Sequence, residues 1–237
     1  MYSSTFSIDL VIMLIIFLII LIYIFFILRN KVPYPVKSSL KLSDYYILSI
    51  ILTYLVIGGY QQYFWTKKNK ISDPVTIPSC FIDNYITKND EWVYIYNFVY
   101  YFIFGLVIIT LKTYKEALII VLGGLILLSG LSIIWYLYPN IVPERIEAKN
   151  YFMKKTQTID ENTNNACPSA HVVLAMYSYY IIRKLFGNII TLIIPILISY
   201  SCLKTSQHLT IDIVFGIIYC IIVYNIILKK IFPAVFK

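Results

Sequence analysis

Histidine and cysteine, the usual ligands of zinc in proteins, are scarce in this chain. Its 237 residues contain two histidines and four cysteines, and their spacing matches no zinc site. Charged residues make up only 14%, and no internal repeat or low-complexity tract occurs. A zinc-finger module and a repeat protein are therefore excluded. The two histidines, His171 and His208, have to be explained individually.

The cysteines leave two interpretations open. Cys80 and Cys167 fall in loops on the same predicted face, where a disulfide can form in an oxidising compartment. Cys202 and Cys220 fall inside apolar segments. Four free thiols are an equally good interpretation.

Long apolar runs are what this chain has in abundance. It is 59% hydrophobic, its mean hydropathy is +0.76, and its runs of roughly 20 residues match the length that crosses ~30 Å of hydrocarbon as a helix. Lipid offers the backbone no hydrogen-bond partners, and the runs are too long and too unalternated for barrel strands. The sequence therefore predicts an all-α fold, a single polytopic transmembrane helical bundle of six to seven helices without a soluble domain.

Seven apolar segments can be distinguished. The fifth and sixth are short, Pro195 interrupts the sixth, and Gly187-Asn188 favours a tight reversal between them, so the two can also form one hairpin. The first lacks a preceding positive charge and a cleavage site, which favours a retained helix over a signal peptide. The segments are Leu10–Leu28, Tyr45–Trp65, Trp92–Leu111, Ala117–Tyr138, Pro168–Phe186, Asn188–Leu203 and His208–Leu228.

Basic residues are distributed unevenly between the two predicted faces. Eleven of the 20 lysines and arginines fall on one face with two of the 12 acidic residues, and they crowd its short linkers. The positive-inside rule places that face, with the C-terminus, in the cytoplasm. The net charge of +8 is then an orientation signal, and no nucleic-acid partner is expected. Both histidines fall on the opposite, extracytoplasmic or lumenal face.

The first histidine ends a motif, residues 164–171, in which a polar loop leads into an apolar helix. Pro168 suits the first turn of a helix because it has no amide hydrogen to leave unpaired. The free amides that follow, including that of Ala170, form with the Ser169 hydroxyl a seat for a phosphate or another oxyanion. His171 is then within reach of an oxygen bound there.

The second histidine precedes Asp212 by four residues, so the sequence predicts both side chains on one face of a helix. A carboxylate about one turn below the membrane surface needs a partner, and the imidazole of His208 is the nearest candidate in sequence. Such a pair fixes the tautomer of the ring and stabilises a positive or phosphorylated imidazole. A zinc site built from His171, His208 and Asp212 is the alternative.

Basic residues in the loop between Pro139 and Asn165 complete the candidate site. Arg145 is the first choice for binding a phosphoryl group, because a guanidinium matches phosphate with two parallel hydrogen bonds. The lysines of the same loop are alternatives, or are simply solvated. They are Lys149, Lys154 and Lys155.

These motifs resemble two signatures of the type 2 phosphatidic acid phosphatase superfamily, which also includes haloperoxidases and sphingolipid headgroup synthases. The matching strings are Pro168-Ser169-Ala170-His171 and His208-x-x-x-Asp212. The longer strings, residues 165–172 and 204–212, are most similar to the inositol phosphorylceramide synthase-like branch. The resemblance covers roughly Pro139 to Gly216.

The resemblance implies a mechanism and a set of residue roles. His208 would be the nucleophile that attacks phosphorus, Asp212 would orient it, and His171 would protonate the leaving oxygen. Ser169, the Ala170 amide and a basic side chain, Arg145 or Lys204, would hold the other phosphate oxygens. The family works without a metal or other cofactor and acts on lipid phosphates at the outer membrane surface, so membrane lipids are the expected partners.

The family pattern also implies an organisation of the chain. Residues 1–115 would hold N-terminal transmembrane helices with an outer polar loop, and residues 116–237 the catalytic membrane core. Because family members use six helices, the first segment is either an addition or replaces a misread one. Two departures stand out: Cys202 occupies the place of an arginine, and Ile146 follows Arg145 where the family has proline.

Four functions remain open at this level. Transfer to water would make the protein a lipid-phosphate phosphatase, and transfer to a polyol or ceramide hydroxyl would make it a headgroup transferase. A small transporter with an ion site of histidine and aspartate would place polar residues through the depth of several helices, whereas here they concentrate at one end. A noncatalytic relative that only binds lipid is the fourth.

Overall fold

The computed structural model describes residues 64–97, 114–143, 145–160 and 164–233. The predicted segment Leu10–Leu28, nearly all of Tyr45–Trp65 and most of Trp92–Leu111 lie outside the described residues. The predicted number of helices in the bundle, and the division at residue 115, therefore stay predictions.

The described part of the chain is mostly helical. Residues 64–68 and 93–97 are helical turns, and Asp90–Trp92 is a 3-10 helix. The α-helices are α1 Phe81–Tyr85, α2 Tyr114–Leu137, α3 Tyr151–Ile159, α4 Ala170–Phe186, α5 Asn188–Lys204 and α6 Thr210–Ile222. A π-helix, Val223–Leu228, and α7, Lys229–Ile231, continue α6. The strands are β1 Val75–Thr76 and β2 Asn140–Ile141.

Two helices in the described part are long and apolar enough to cross a membrane. They are Glu116–Leu137, with a hydropathy of 2.7, and Thr210–Ile231, with a hydropathy of 2.4. Each has 22 residues, or about 33 Å at 1.5 Å per residue. These bounds confirm the predicted helices Ala117–Tyr138 and His208–Leu228 to within three residues at each end. Thr191–Lys204 is a shorter apolar helix.

Helices α4 and α5 form the predicted hairpin, with the reversal at Gly187. Its φ of 83° lies in the region that favours glycine. Its amide donates to the Arg183 carbonyl oxygen, and its own carbonyl oxygen accepts from Thr191 Oγ1 at 2.7 Å. Pro195 is accommodated inside α5. The fifth and sixth segments are thus two packed helices.

Two helices begin two residues later than predicted. Helix α4 begins at Ala170, so Pro168 precedes the N-cap Ser169 instead of opening the first turn. Helix α6 begins at Thr210, so His208 lies in the turn before the helix. The Gln207 and His208 amides both donate to the Cys202 carbonyl oxygen, and these bonds fold the turn back on α5. His208 and Asp212 therefore do not share a face of one helix, although their side chains do come together as predicted, 3.5 Å apart.

The two polar loops, residues 67–91 and 139–165, contain more structure than the sequence indicated. Strand β1 of the first loop pairs in parallel with β2 of the second, with Val75 opposite Asn140. A further bridge joins Asn140 to Asn165, at the beginning of the first histidine motif. Two-residue strands carry no hydrophobic period, so this pairing had no sequence signal. It fastens both loops to the start of α4.

The main hydrophobic core lies between α2, α4, α5 and α6. Helix α4 packs against the other three, and the 3-10 helix contacts α5. The largest fully buried side chains include Trp92, Leu127, Ile198 and Tyr224. Since burying a large apolar side chain stabilises by about 1.5–3 kcal/mol, this core fixes the start of α4 against the start of α6.

Candidate active site

The two histidines meet at one end of the helical core. His171 lies in the first turn of α4, and His208 lies in the turn between α5 and α6. Their ring centroids are 5.9 Å apart and the ring planes are inclined at 58°. The prediction that the two imidazoles come together across the chain is confirmed.

Asp212 lies behind the His208 ring. Its Oδ2 is 3.5 Å from His208 Nδ1, and the carboxylate is fully buried. The same oxygen accepts a hydrogen bond of 2.8 Å from the Leu209 amide, as expected of an acidic side chain at the third position of a helix. Oδ1 has no hydrogen-bond partner among the described residues. The carboxylate is thus fixed by the helix start and lies beside one imidazole nitrogen, within ion-pair distance but without a hydrogen bond to it.

Tyr96 contacts the other histidine, and no sequence pattern indicated it. Its hydroxyl lies 3.1 Å from His171 Nδ1. The two rings stack, with centroids 4.1 Å apart and planes inclined at 30°. Tyr96 is buried in the helical turn 93–97. One tyrosine among 23 has no local signal that marks it as the partner of a distant histidine.

A close backbone approach sets the distance between the two histidines. A Cβ atom at Gly216 would lie 3.1 Å from the Ser169 carbonyl oxygen and 3.3 Å from Val172 Cβ. The Ser169 amide also donates to the Asp212 carbonyl oxygen at 3.1 Å. Helix α6 therefore crosses directly against the start of α4, and only glycine fits there without displacement.

Two side chains outside the predicted site position the segment before His171. Asn140 Oδ1 accepts from the Cys167 amide at 2.6 Å, and its Nδ2 donates to the Cys167 carbonyl oxygen at 2.8 Å. Trp135 Nε1 donates to the Pro168 carbonyl oxygen at 3.3 Å. The end of α2 and strand β2 thus hold this segment in an extended conformation up to the N-cap.

Asp83, in the first polar loop, positions the segment after His208. Its Oδ1 accepts from the Thr210 amide at 2.8 Å and from Thr210 Oγ1 at 2.6 Å. Burial alone would raise the pKa of Asp83, but hydrogen bonds from Thr210 and Cys80 lower it by more, so the net pKa lies below the ordinary 3.8. Asp83 serves as an N-cap for α6 supplied by another part of the chain.

The predicted phosphate seat contains one unusual group, the Ser169 hydroxyl. Ser169 is fully buried, and in the described ranges its Oγ has only a weak interaction with the Cys202 thiol and no full hydrogen bond. It makes no capping bond to α4, although serine commonly does so at this position. A buried polar atom without a partner costs about 1–3 kcal/mol. Ala170, the first residue of α4, lies beside it and is partly buried.

Two lysines lie near the end of α5. One of them, Lys204, was predicted as a phosphate-binding residue. Lys204 is buried, and its ammonium lies 6.0 Å from the Trp92 ring centroid and 5.8 Å from that of Tyr200. Lys88 Nζ donates to the Leu203 carbonyl oxygen at 3.2 Å. Burial lowers the pKa of Lys88, Lys204 lowers it further, and Asp83 opposes both. Lys88 was missed because no motif contains it.

Arg145 lies in the second polar loop, where its Nη1 donates to the Asp160 carbonyl oxygen at 3.0 Å. That bond closes the loop around α3. Its predicted contact with a phosphoryl group stays a prediction.

All four cysteines are free thiols. Burial, with Asp212 nearby, raises the pKa of Cys167 to about 12, so this thiol stays protonated and is a poor nucleophile. Within the described residues, no group of three or more histidine, cysteine or acidic side chains is arranged to hold a metal ion.

Comparison with known proteins agrees with this arrangement. The family model described as the PAP2 superfamily matches residues 86–226, which include Lys88, Tyr96, both histidines and Asp212. No curated protein and no solved structure matched the chain. The match covers more than half of the sequence, and the chain therefore belongs to the PAP2 superfamily, whose members are phosphatases or phosphotransferases.

Proposed function

We propose that this protein is an integral membrane enzyme that cleaves a lipid phosphoester through a covalent phosphohistidine at His208. Membership of the PAP2 superfamily supports phosphoester chemistry. The observation that carries the proposal is the meeting of two imidazoles 5.9 Å apart, with the Asp212 carboxylate 3.5 Å from Nδ1 of His208.

The first step transfers the phosphoryl group to the enzyme. The Nε2 lone pair of His208 attacks phosphorus, the bond to the lipid oxygen breaks, and that oxygen takes the bonding electron pair. His171 gives the oxygen a proton from Nε2. Asp212, beside Nδ1 of His208, stabilises the positive phosphoimidazole that results, which is why His208 is assigned as the nucleophile.

The second step releases the phosphoryl group. Water or an alcohol attacks phosphorus, its proton goes to Nε2 of His171, and the electron pair of the phosphorus–nitrogen bond returns to His208. His171 ends the cycle protonated, as it began. The same residues thus serve hydrolysis and headgroup transfer, and the acceptor decides between them.

The nonreacting phosphate oxygens need donors, and three groups at the site are suited to this role. The Ser169 hydroxyl is buried beside only a weak partner, the Cys202 thiol, and gains a strong one when an anion binds. The amides at the start of α4, including that of Ala170, contribute the positive end of a helix dipole. Lys204 supplies charge from the end of α5, with Lys88 beside it. Arg145 is a further donor if the loop moves toward the substrate.

The membrane setting completes the proposal. The chain spans the membrane several times, the site opens on the extracytoplasmic or lumenal face, and the C-terminus is cytoplasmic. Two apolar helices of 22 residues and the uneven distribution of basic residues support this topology. The substrate is a lipid phosphate, and no metal or nucleic acid takes part.

The proposal is tested with purified protein in detergent and short-chain phosphatidate. We expect phosphate release by the wild type and a loss on the order of 10⁴-fold in His208→Ala. Asp73→Asn is the matched surface control, because the Asp73 side chain is fully exposed and pairs only loosely with Lys70 at 3.4 Å. Equal release by the wild type and His208→Ala would contradict the proposal.

Headgroup transfer of the inositol phosphorylceramide synthase type is the second candidate. Residues around the nucleophile are buried: His208 is 7% exposed, and Asp212 and Ser169 are 0% exposed. Restricted access for water favours an acceptor that is itself a bound lipid alcohol. A panel of lipid phosphoesters incubated with ceramide or a polyol, followed by mass spectrometry, separates the two reactions. A new phosphodiester supports transfer, and free phosphate alone supports hydrolysis.

A further inference from the structure

The contact between Tyr96 and His171 links two positions 75 residues apart. The hydroxyl lies 3.1 Å from Nδ1, and the tyrosine ring stacks on the imidazole with centroids 4.1 Å apart. Because the two nitrogens of an imidazole point to opposite sides of the ring, Nε2 points away from the Tyr96 hydroxyl.

We propose that Tyr96 is the positioning residue of His171, and that its phenolic oxygen accepts a hydrogen bond from Nδ1–H so that Nε2 alone exchanges protons with the substrate. The inference rests on the proposed function, since it assigns a role to a residue at that same site. Tyr96 acts through His171 and does not touch the reacting atoms.

Both steps of the reaction require this tautomer. At the start His171 carries protons on both nitrogens, and its Nε2 proton goes to the leaving lipid oxygen. The proton that remains sits on Nδ1 and stays bonded to the Tyr96 oxygen. The free Nε2 lone pair then takes the proton of the attacking water or alcohol. If the remaining proton moved to Nε2, the base for the second step would be lost.

A phenol suits this role better than a carboxylate does. A buried carboxylate favours the positive form of the ring beside it, which helps His208 while it carries the phosphoryl group. His171 has to release its proton within each cycle, so a strong preference for the positive form would slow the first step. A neutral hydroxyl holds the ring and its tautomer while adding no charge.

The first test reads the tautomer directly and needs no catalysis. The chain has only two histidines, so protein labelled with ¹⁵N-histidine and purified without a histidine tag gives signals from two rings, assigned with His208→Ala. In the free protein, at a pH at which His171 carries a single proton, we expect the Nδ1–H tautomer in the wild type and a shift toward Nε2–H in Tyr96→Phe. Tyr94→Phe is the matched control, because that hydroxyl accepts from Asn150 Nδ2 at 3.0 Å in the same helical turn.

The second test varies the leaving group. An alkyl phosphate needs a proton on its departing oxygen, whereas a nitrophenyl phosphate departs without one. Tyr96→Phe keeps the stacked ring and removes only the hydroxyl, so we expect kcat/KM for the alkyl ester to fall about tenfold, the equivalent of one lost hydrogen bond. This ratio covers only the steps up to phosphoryl transfer to His208. For the aryl ester it should change less than about twofold, because the second step, which both esters share, does not enter it. Tyr94→Phe should match the wild type on both.

The possible failures can be told apart. An Nε2–H tautomer in the wild type, an unchanged tautomer in Tyr96→Phe, or an equal loss on both esters would overturn the role of Tyr96 while leaving the phosphohistidine mechanism intact. Equal rates in the wild type and His208→Ala would overturn the proposed function, and this inference with it.

Discussion

The two imidazoles of the site are the same side chain in different surroundings. His208 lies in a turn, almost fully buried, with the buried carboxylate of Asp212 3.5 Å from its Nδ1. His171 lies in the first turn of α4, partly buried, with the neutral hydroxyl of Tyr96 3.1 Å from its Nδ1. A charged partner stabilises a positive ring and a neutral partner leaves the proton free to move. This difference indicates that His208 carries the phosphoryl group and that His171 transfers protons.

The largest expected effect on the rate comes from removing the negative charge of Asp212, the partner of His208. Asp212→Asn keeps the shape but loses the negative charge, and its amide group can donate to Nδ1 and reverse the tautomer of His208. We expect kcat to fall about 10³- to 10⁴-fold, equally for alkyl and aryl phosphates, because attack itself is impaired. Steady-state rates on both esters measure this, with Asp73→Asn as the control. A loss confined to alkyl esters would mean that the roles of the two rings are reversed.

The corresponding substitution at His171 tests the difference between the two histidines. His171→Ala removes the general acid, so kcat/KM for an alkyl phosphate should fall about 10²- to 10³-fold. An aryl phosphate, whose leaving group needs no proton, should lose less than about tenfold in kcat/KM. The two values of kcat/KM are compared because this ratio does not include the second step, in which His171 acts as base for both esters. An equal loss on both esters would show that His171 does more than transfer protons.

A third change alters the distance between the two rings and leaves their partners in place. In Gly216→Ala the new methyl group meets the Ser169 backbone oxygen at 3.1 Å, so α6 has to shift away from α4. Overpacking of this kind costs about 1–3 kcal/mol, and we expect a lower unfolding temperature together with reduced kcat on both esters. Val214→Ala, on the exposed side of α6, is the control. Unchanged rate and stability would show that the close approach does not set the geometry.

The smallest expected effect concerns Asp83, which holds α6 from the first polar loop. Its folded pKa lies below the ordinary 3.8, so its stabilising effect is full above that value and is lost as the pH falls through the lower folded pKa. Asp83→Asn should reduce the free energy of unfolding by about 1–2 kcal/mol at neutral pH. The difference from the wild type should shrink on acidification below pH 4. Unfolding followed across pH measures it, and a difference that grows in acid would contradict the assignment.

Helix positions could be predicted from the sequence where the apolar runs were long. The runs that became α2, α4, α5 and α6 had no other way to satisfy their backbone in an apolar setting, and Gly187 marked the reversal. The start of α4 and the start of α6 were placed wrongly. Backbone bonds to the carbonyl oxygens of Asp212 and Cys202 decide them, and no local pattern encodes such bonds.

The residues of the candidate site also include some that could be predicted from the sequence and some that could not. His171, His208 and Asp212 were identified because rare residues stood in recognisable spacings. Tyr96 and Asp83 were missed because each acts across a long separation, 75 residues to His171 and 127 residues to Thr210. Tyrosine and aspartate at these positions look like ordinary interface and loop residues until the fold brings them to the site.

Capture of the covalent intermediate tests the central claim most directly. A short-chain lipid phosphate is mixed with enzyme for less than one turnover and quenched in alkali, where phosphohistidine survives, and the peptides are analysed by mass spectrometry. The account predicts one phosphoryl group on His208, formed and lost at the rate of turnover, and its absence in His208→Ala. Turnover without a phosphorylated His208, or a phosphoryl group on His171 instead, would contradict it.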